Sequence, residues 1–405
     1  MKILDGLRDR LGKATPLLKA TPPAARVDVD AINDTIQRAL ASAGLDTRSG
    51  PMKGVTDTIQ QALSAAGLNQ HASNPGQRDT VIEGVASRVT AANTATPQQR
   101  TPRARAEPTS HTKPALPGEF VSRSFTNHAG TRIYKVYVPA NYSSALEPVP
   151  MVVMLHGCTQ SPDDFAAGTR MNALAEQHGF LVVYPAQAAN ANGSKCWNWF
   201  RPDDQMRDRG EPSLIAGITR EVAANYRVDA RRIFVAGLSA GAAMAVILGA
   251  TYPELYAAVG AHSGLPHGAA HDMPSAFGAM KGGQVKYRPL SGRAVPTIVF
   301  HGDRDNTVDA KNGVAIIEQA TVDRADRSPL RTSVHHGKAA GGRTYRRTVH
   351  ADAASQPIVE DWVVHGAGHA WSGGSPSGSF TDASGPDASV EMIRFFFLQQ
   401  PAGTA

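Results

Sequence analysis

A serine, an aspartate and a histidine occur in this chain, in that order, each in a setting suited to nucleophilic catalysis. Gly237-Leu-Ser-Ala-Gly241 is a G-x-S-x-G motif. It directly follows the apolar run Arg232-Ile-Phe-Val-Ala236 and opens an Ala-rich stretch. Strand, sharp turn and helix form the context that lifts a serine hydroxyl clear of its neighbours. The two glycines fit a turn with no room for side chains beside Ser239. A serine is a weak nucleophile until a base takes its proton, and the base needs an acid to fix its tautomer.

The acid is expected after a later strand. Phe300-His-Gly-Asp-Arg-Asp-Asn-Thr-Val308 has the H-G-x-x-D-x-x-V spacing that selects Asp305, with Asp303 and Asp309 as rivals. Asp303 also suits a turn-capping role. The base is expected last, in His365-Gly-Ala-Gly-His369-Ala-Trp-Ser-Gly-Gly374. His369 lies deeper in the Gly-rich loop and is preferred. His365, immediately beyond a strand, reads as a packed histidine. His156, His262, His267, His271 and His301 are candidates for supporting roles.

Acyl chemistry at Ser239 also needs donors for a tetrahedral oxyanion. The backbone N–H of Ala240 is one candidate. The N–H of Cys158, in Leu155-His-Gly-Cys-Thr-Gln-Ser161, is the other. Trp197, Trp199 and Trp371 are expected at a substrate pocket, with the segment from Leu265 to about Arg293; core packing is the alternative role. The second of the two cysteines is Cys196, in Gly193-Ser-Lys-Cys-Trp-Asn-Trp-Phe200. A Cys158–Cys196 disulfide would tie two loops together; two partly buried thiols are the other reading.

These residues need a frame. Arg132-Ile-Tyr-Lys-Val-Tyr-Val-Pro139 alternates like an antiparallel entry strand. Residues 150–155, 180–184, 232–236, 257–261, 296–300 and 359–364 are short apolar runs of the kind found in buried strands. Helical patterns include residues 171–178 and 390–398. The alternation predicts an α/β fold with a mostly parallel sheet and helices on both faces.

Every Phe, Tyr and Trp lies at or after Phe120. Residues 1–119 therefore cannot bury a large core and read as an arm, with the catalytic domain at 120–400. Within the arm, Asp34-Thr-Ile-Gln-Arg-Ala-Leu-Ala-Ser-Ala-Gly-Leu45 recurs as Asp57-Thr-Ile-Gln-Gln-Ala-Leu-Ser-Ala-Ala-Gly-Leu68. Each copy predicts a short amphipathic helix with Asp as N-cap and Gly as stop. The helices (34–45 and 57–68) either pack at home or dock on a partner protein or hydrophobic surface. A Pro-punctuated, largely disordered linker follows.

The remaining composition excludes several classes. No run of about 18 apolar residues exists, so no transmembrane helix is expected. Net charge is +6 and the basic clusters lack interleaved aromatics, which argues against nucleic-acid binding. Two cysteines exclude a four-thiolate zinc site, and nothing calls for a metal or organic cofactor. Charges at Asp5, Arg8, Asp9 and Arg10 interrupt any secretory apolar region. A disulfide would favour an extracellular location; the charged N-terminus favours a cytoplasmic one.

His-Gly-Cys-Thr-Gln-Ser-Pro-Asp-Asp-Phe165, Cys196-Trp-Asn-Trp-Phe200, Gly-Leu-Ser-Ala-Gly-Ala-Ala-Met244, Ser263-Gly-Leu-Pro-His-Gly268 and Gly368-His-Ala-Trp371 together resemble the polyhydroxybutyrate (PHB) depolymerase family of esterases. The resemblance spans roughly residues 120–397. It implies an α/β-hydrolase fold and hydrolysis of short-chain esters, with poly(3-hydroxybutyrate) or its oligomers as substrate. It places Ser239, Asp305 and His369 on the triad, and Cys158 and Ala240 at the oxyanion hole. Alternatives are a feruloyl or acetyl carbohydrate esterase, a prolyl-oligopeptidase-like serine peptidase, and a catalytically dead binding module.

Overall fold

Strands buried on both faces read as unbroken apolar runs, and such runs form the centre of this sheet. A computed structural model describes residues 116–283, 287–288, 294–325 and 329–399. The repeated segments 34–45 and 57–68 lie outside these residues. The strands are β1 (Glu119–Asn127), β2 (Gly130–Val138), β3 (Val149–Leu155), β4 (Leu181–Pro185), β5 (Val228–Leu238), β6 (Ala258–His262), β7 (Thr297–Gly302), β8 (Arg331–Lys338), β9 (Thr344–Ala351) and β10 (Pro357–Val364). They form one sheet in the order β1-β2-β4-β3-β5-β6-β7-β10-β9-β8. From β4 to β10 every pairing is parallel. Both flanks are antiparallel: β1–β2 and β2–β4 on one side, β10–β9 and β9–β8 on the other.

The helices are α1 (Pro162–Thr169), α2 (Met171–His178), α3 (Gly210–Asn225), α4 (Ala240–Thr251), α5 (Met273–Met280), α6 (Lys311–Ala325) and α7 (Ala388–Leu398). Alternate residues of each strand send side chains to opposite faces. Met151, Val153, Ile233 and Val235 join Ile215 and Ile218 of α3 and Met244 and Leu248 of α4 in one buried cluster. Val152, Met154, Phe234 and Ala236 join Phe165, Met171 and Leu174 of α1 and α2, and Phe395 and Phe396 of α7, in the other. The expected two-sided architecture is present: the fold is that of an α/β-hydrolase.

Local chemistry sets the helix starts. Ser161 caps α1 by accepting from Asp164 N, with Pro162 in the first turn and Asp163 and Asp164 at the positive end of the helix dipole. Asp272 and Ser275 cap each other at α5, and the Asp387 side chain caps α7.

Parallel strands point the same way, so their following loops gather at one edge. Leu155 pairs with Gly237, Leu238 with His262, His262 with Phe300, and Gly302 with Val364. The loops after β3, β5, β6, β7 and β10 therefore leave the sheet side by side. These loops carry Cys158, Ser239, Ser263, Asp305 and His369. A short pair, β11 (Trp371–Ser372) and β12 (Thr381–Asp382), follows the His369 loop.

Candidate active site

Ser239 stands between β5 and α4 with φ 58° and ψ −119°. Non-glycine residues avoid this region, and strain of this kind persists only where the surroundings enforce it. Here they do. A Cβ on Gly237 would collide with the backbone of Gly241, and one on Gly241 with the carbonyl of Leu155. The turn thus presses against the end of β3, which carries the next loop of the site. Ser239 N–H donates to His262 O at 2.9 Å, fixing the turn to the end of β6. Ala240 opens α4, and the first amides of a helix have no intrahelical acceptor.

Asp305 and His369 come together. His369 Nδ1 lies 2.7 Å from Asp305 Oδ2. The other oxygen of Asp305 accepts from Thr307 N and Val308 N, each at 2.9 Å. Burial pushes the Asp305 pKa up, but the His369 hydrogen bond, the His369 charge and the Val308 amide outweigh it and hold it at about 2. The Asp305 side chain is fully buried, and that of His369 is 13% exposed. This polarity suits a fixed carboxylate and a reachable imidazole. Among the described residues no hydrogen bond joins Ser239 Oγ to His369; the nucleophile turn and the His369 loop are instead connected through His262.

The rivals for these roles have other partners. Asp303 accepts from His365 Nδ1 at 2.8 Å and from Gly366 N at 2.7 Å. That pair ties the β7 loop to the β10 loop at the surface, so His365 is half exposed where packing was expected. Asp309 accepts from Lys311 N at the start of α6. His301 is buried, with Nε2 on Val308 O at 2.8 Å. His267 Nε2 meets Gln205 O at 3.1 Å, and the His271 side chain is exposed.

The Cys158 loop is heavily braced. The Cys158 and Cys196 sulfurs are bonded to each other. Thr159 N donates to Ser194 O at 2.7 Å, adding a backbone link between the same two loops. His156 is buried; its Nε2 accepts from Gln187 N at 3.1 Å, so its proton lies on Nδ1, facing Gly157 O at 2.7 Å. Burial lowers its pKa to about 4. Gln160 accepts from Gly157 N at 2.9 Å and donates to Asp164 and Ser379. Gln160 is not among the candidate site residues in the sequence. Its place three residues beyond the glycine of a tight turn was the available signal.

The three tryptophans need correction. Expected at a substrate pocket, Trp197 and Trp371 are instead core residues, 0% and 1% exposed. Their indole N–H groups are satisfied by His156 O and Ser389 Oγ, each at 3.1 Å. Trp199 is buried edge-on to Phe200. These rings support the loops from behind, because a large apolar ring gains most by full burial. Of the segment expected beside them, Leu265 is buried, whereas Met273 and Phe277 of α5 are exposed.

A polar cleft of about 1040 Å³ lies elsewhere, at the β1–β2 turn and the start of α3. Its floor is the buried Glu211, which accepts from Asn198 N at 2.7 Å and pairs with Arg132 at 3.3 Å. None of the triad candidates lines it.

Residues 132–323 match the family described as Esterase PHB depolymerase. The poly(3-hydroxyalkanoate) depolymerase C of Paucimonas lemoignei is 33% identical over 262 residues, covering 62% of this chain and 60% of that protein. Feruloyl esterase B of Neurospora crassa is 30% identical over 212 residues, covering 48% of this chain and 70% of that protein. The chain belongs to the PHB depolymerase family of esterases. Its fold matches the acetyl xylan esterase from Aspergillus awamori, with a TM-score of 0.54, 21% identity, and coverage of 69% of this chain and 99% of that one. Family membership fits a site in which a strained serine turn and an Asp–His pair share one sheet edge.

Proposed function

We propose that this protein is a serine esterase acting through an acyl-enzyme on Ser239, with poly(3-hydroxybutyrate) or its oligomers as substrate. The observation that carries the reading is the 2.7 Å Asp305–His369 pair at the same sheet edge as the strained Ser239 turn. His369 Nε2 takes the Ser239 proton as Oγ attacks the ester carbonyl. Asp305 holds the imidazole with its proton on Nδ1 and stabilises the imidazolium. The amides of Ala240 and Cys158 receive the oxyanion. His369 returns the proton to the departing alcohol, and water then cleaves the acyl-enzyme by the same route.

The depolymerase relative supports the polyester substrate, and the feruloyl esterase relative supports a second reading, an ester carried on carbohydrate. The disulfide Cys158–Cys196 favours a location outside the cytosol. Among the described residues no helix is long and apolar enough to cross a membrane.

A panel of short-chain nitrophenyl esters, 3-hydroxybutyrate oligomers, feruloyl esters and peptide amides tests the reading. Turnover of the first two, abolished in Ser239→Ala, is expected. Retained esterase activity in a folded Ser239→Ala variant refutes the nucleophile. Preference for feruloyl or acetyl carbohydrate esters selects the second reading.

A further inference from the structure

We infer that His262, a neutral histidine outside the triad, is a positioning residue that sets the His369 loop against the Ser239 turn. The inference rests on the catalytic reading above. Three independent sets of contacts carry it, one toward each loop of the triad.

Toward the nucleophile, the His262 carbonyl accepts Ser239 N–H at 2.9 Å. This bond holds the backbone of the serine itself. Toward the base, His262 Nε2 accepts the backbone N–H of Ser372 at 3.0 Å, three residues beyond His369. The ring also stacks on Trp371, with centroids 5.2 Å apart. Toward the acid, the ring also stacks near parallel on Phe300, with centroids 5.8 Å apart, and Ser263 N donates to Phe300 O at 2.9 Å. Phe300 is on β7, the strand that leads into Asp305. His262, at the end of β6, thus touches the nucleophile turn, the β11 strand that follows His369 and the strand that leads into Asp305, and its own strand lies between those of the nucleophile and the acid.

The protonation state follows from the donors. Ser372 N–H can only donate, so Nε2 carries a lone pair. The single proton of the neutral ring is then on Nδ1, facing Ser263 Oγ at 3.3 Å. Ser263 is fully buried and held at φ 52°, which keeps that acceptor in place. Burial, then His301 and His369, oppose charge on the ring and bring its pKa down to about 3 against the opposite pull of Asp305. His262 therefore serves as a fixed acceptor and not as a proton carrier. No hydrogen bond joins Ser239 Oγ to His369 here, so the relative placement of the two loops depends on such indirect ties. A misplacement of about 1 Å costs on the order of a hundredfold in rate.

Two variants and one spectrum test this. His262→Phe keeps a stacked ring and removes the acceptor. His262→Gln offers an oxygen near the Nε2 position. With a nitrophenyl butyrate substrate, His262→Phe is expected to lose about ten- to a hundredfold in kcat with KM nearly unchanged. His262→Gln is expected to recover most of that loss. Melting temperatures are recorded alongside. An unchanged kcat in folded His262→Phe overturns the inference, as does an equal loss in both variants that tracks melting temperature. Ring ¹⁵N shifts of the wild-type protein need no variant to fold: a neutral Nδ1–H ring between about pH 5 and 9 supports the inference, and an Nε2–H or charged ring overturns it. Fluorophosphonate labelling separates the two readings. An unlabelled wild-type Ser239 brings down the catalytic reading and this inference with it. A labelled wild type with His262→Phe labelling at the same rate brings down this inference alone.

Discussion

Asp305 divides its carboxylate between His369 and the backbone: Oδ2 holds His369 Nδ1 at 2.7 Å, and Oδ1 holds the amides of Thr307 and Val308. Every one of these partners favours the charged form. Burial works against them and loses, leaving a pKa of about 2. A carboxylate lowered on folding contributes stability that is present above its unfolded value of about 3.9 and is lost as pH falls through about 2. Asp305→Asn is therefore expected to be less stable than wild type by about 2 kcal/mol near neutral pH. The difference should close between about pH 4 and 2, as read by urea unfolding at each pH. The same variant should lose about a thousandfold or more in kcat, because the amide cannot hold the required tautomer. A pH-independent stability gap would contradict the assignment.

The Ser239 turn stores strain, with φ 58° at a residue that has a Cβ. Glycine adopts such angles freely. Ser239→Gly is expected to raise the melting temperature relative to wild type, with a gain of about 1 kcal/mol, while abolishing turnover. Ser239→Ala keeps the Cβ and should gain nothing comparable. Calorimetry of the three proteins decides the point. A Gly variant less stable than the Ala variant would place the strain elsewhere.

The central strands were readable because burial on both faces leaves nothing but apolar residues, as in β3, where every residue is buried. The β8–β9 hairpin was not readable. β8 is almost wholly exposed, so the sequence Arg331-Thr-Ser-Val-His-His-Gly-Lys338 carries no buried face to pattern it. The pairing of Asp305 with His369, and the place of Ser239 at the same sheet edge, were legible because each of the three residues lies in a loop just past an apolar run. The tryptophans depart from expectation because a ring beside a candidate site residue in sequence can point under the loop instead of over it, as Trp371 does against Phe165 and His262. The contacts of His262 and Gln160 join loops far apart in sequence, and no local pattern encodes such pairings.

The Cys158–Cys196 bond closes a chain separation of 38 residues. Loop-closure entropy for that length is worth about 3–4 kcal/mol. Reduction, or the double Cys→Ser variant, should therefore lower the melting temperature by several degrees. Activity should fall further than stability alone explains, because the Cys158 amide loses one of its anchors. Non-reducing mass mapping of the protein from its native source checks that the bond forms there. Full activity in the folded double variant would show that Thr159, Gln160 and His156 hold the loop unaided.

Glu360 is a buried carboxylate with three donors. Arg347 reaches it at 2.8 Å, Arg394 at 2.6 Å and Trp362 Nε1 at 3.1 Å, while its own side chain is 0% exposed. Arg394 belongs to α7, so this cluster fastens the last helix to β10. Removing the carboxylate strands two guanidinium groups that are only partly exposed. Breaking a buried pair from one side costs about 3–5 kcal/mol, and the lower end applies because both arginines reach solvent. Glu360→Ala is expected to cost about 3 kcal/mol in urea unfolding. Its kcat at a temperature where it stays folded should remain near wild type, since neither arginine contacts Ser239, Asp305 or His369. The double variant Glu360→Leu with Arg394→Met should recover part of the loss by replacing the pair with packed apolar groups. Equal instability of the single and double variants would mean that the cluster stabilises through shape and not through charge pairing.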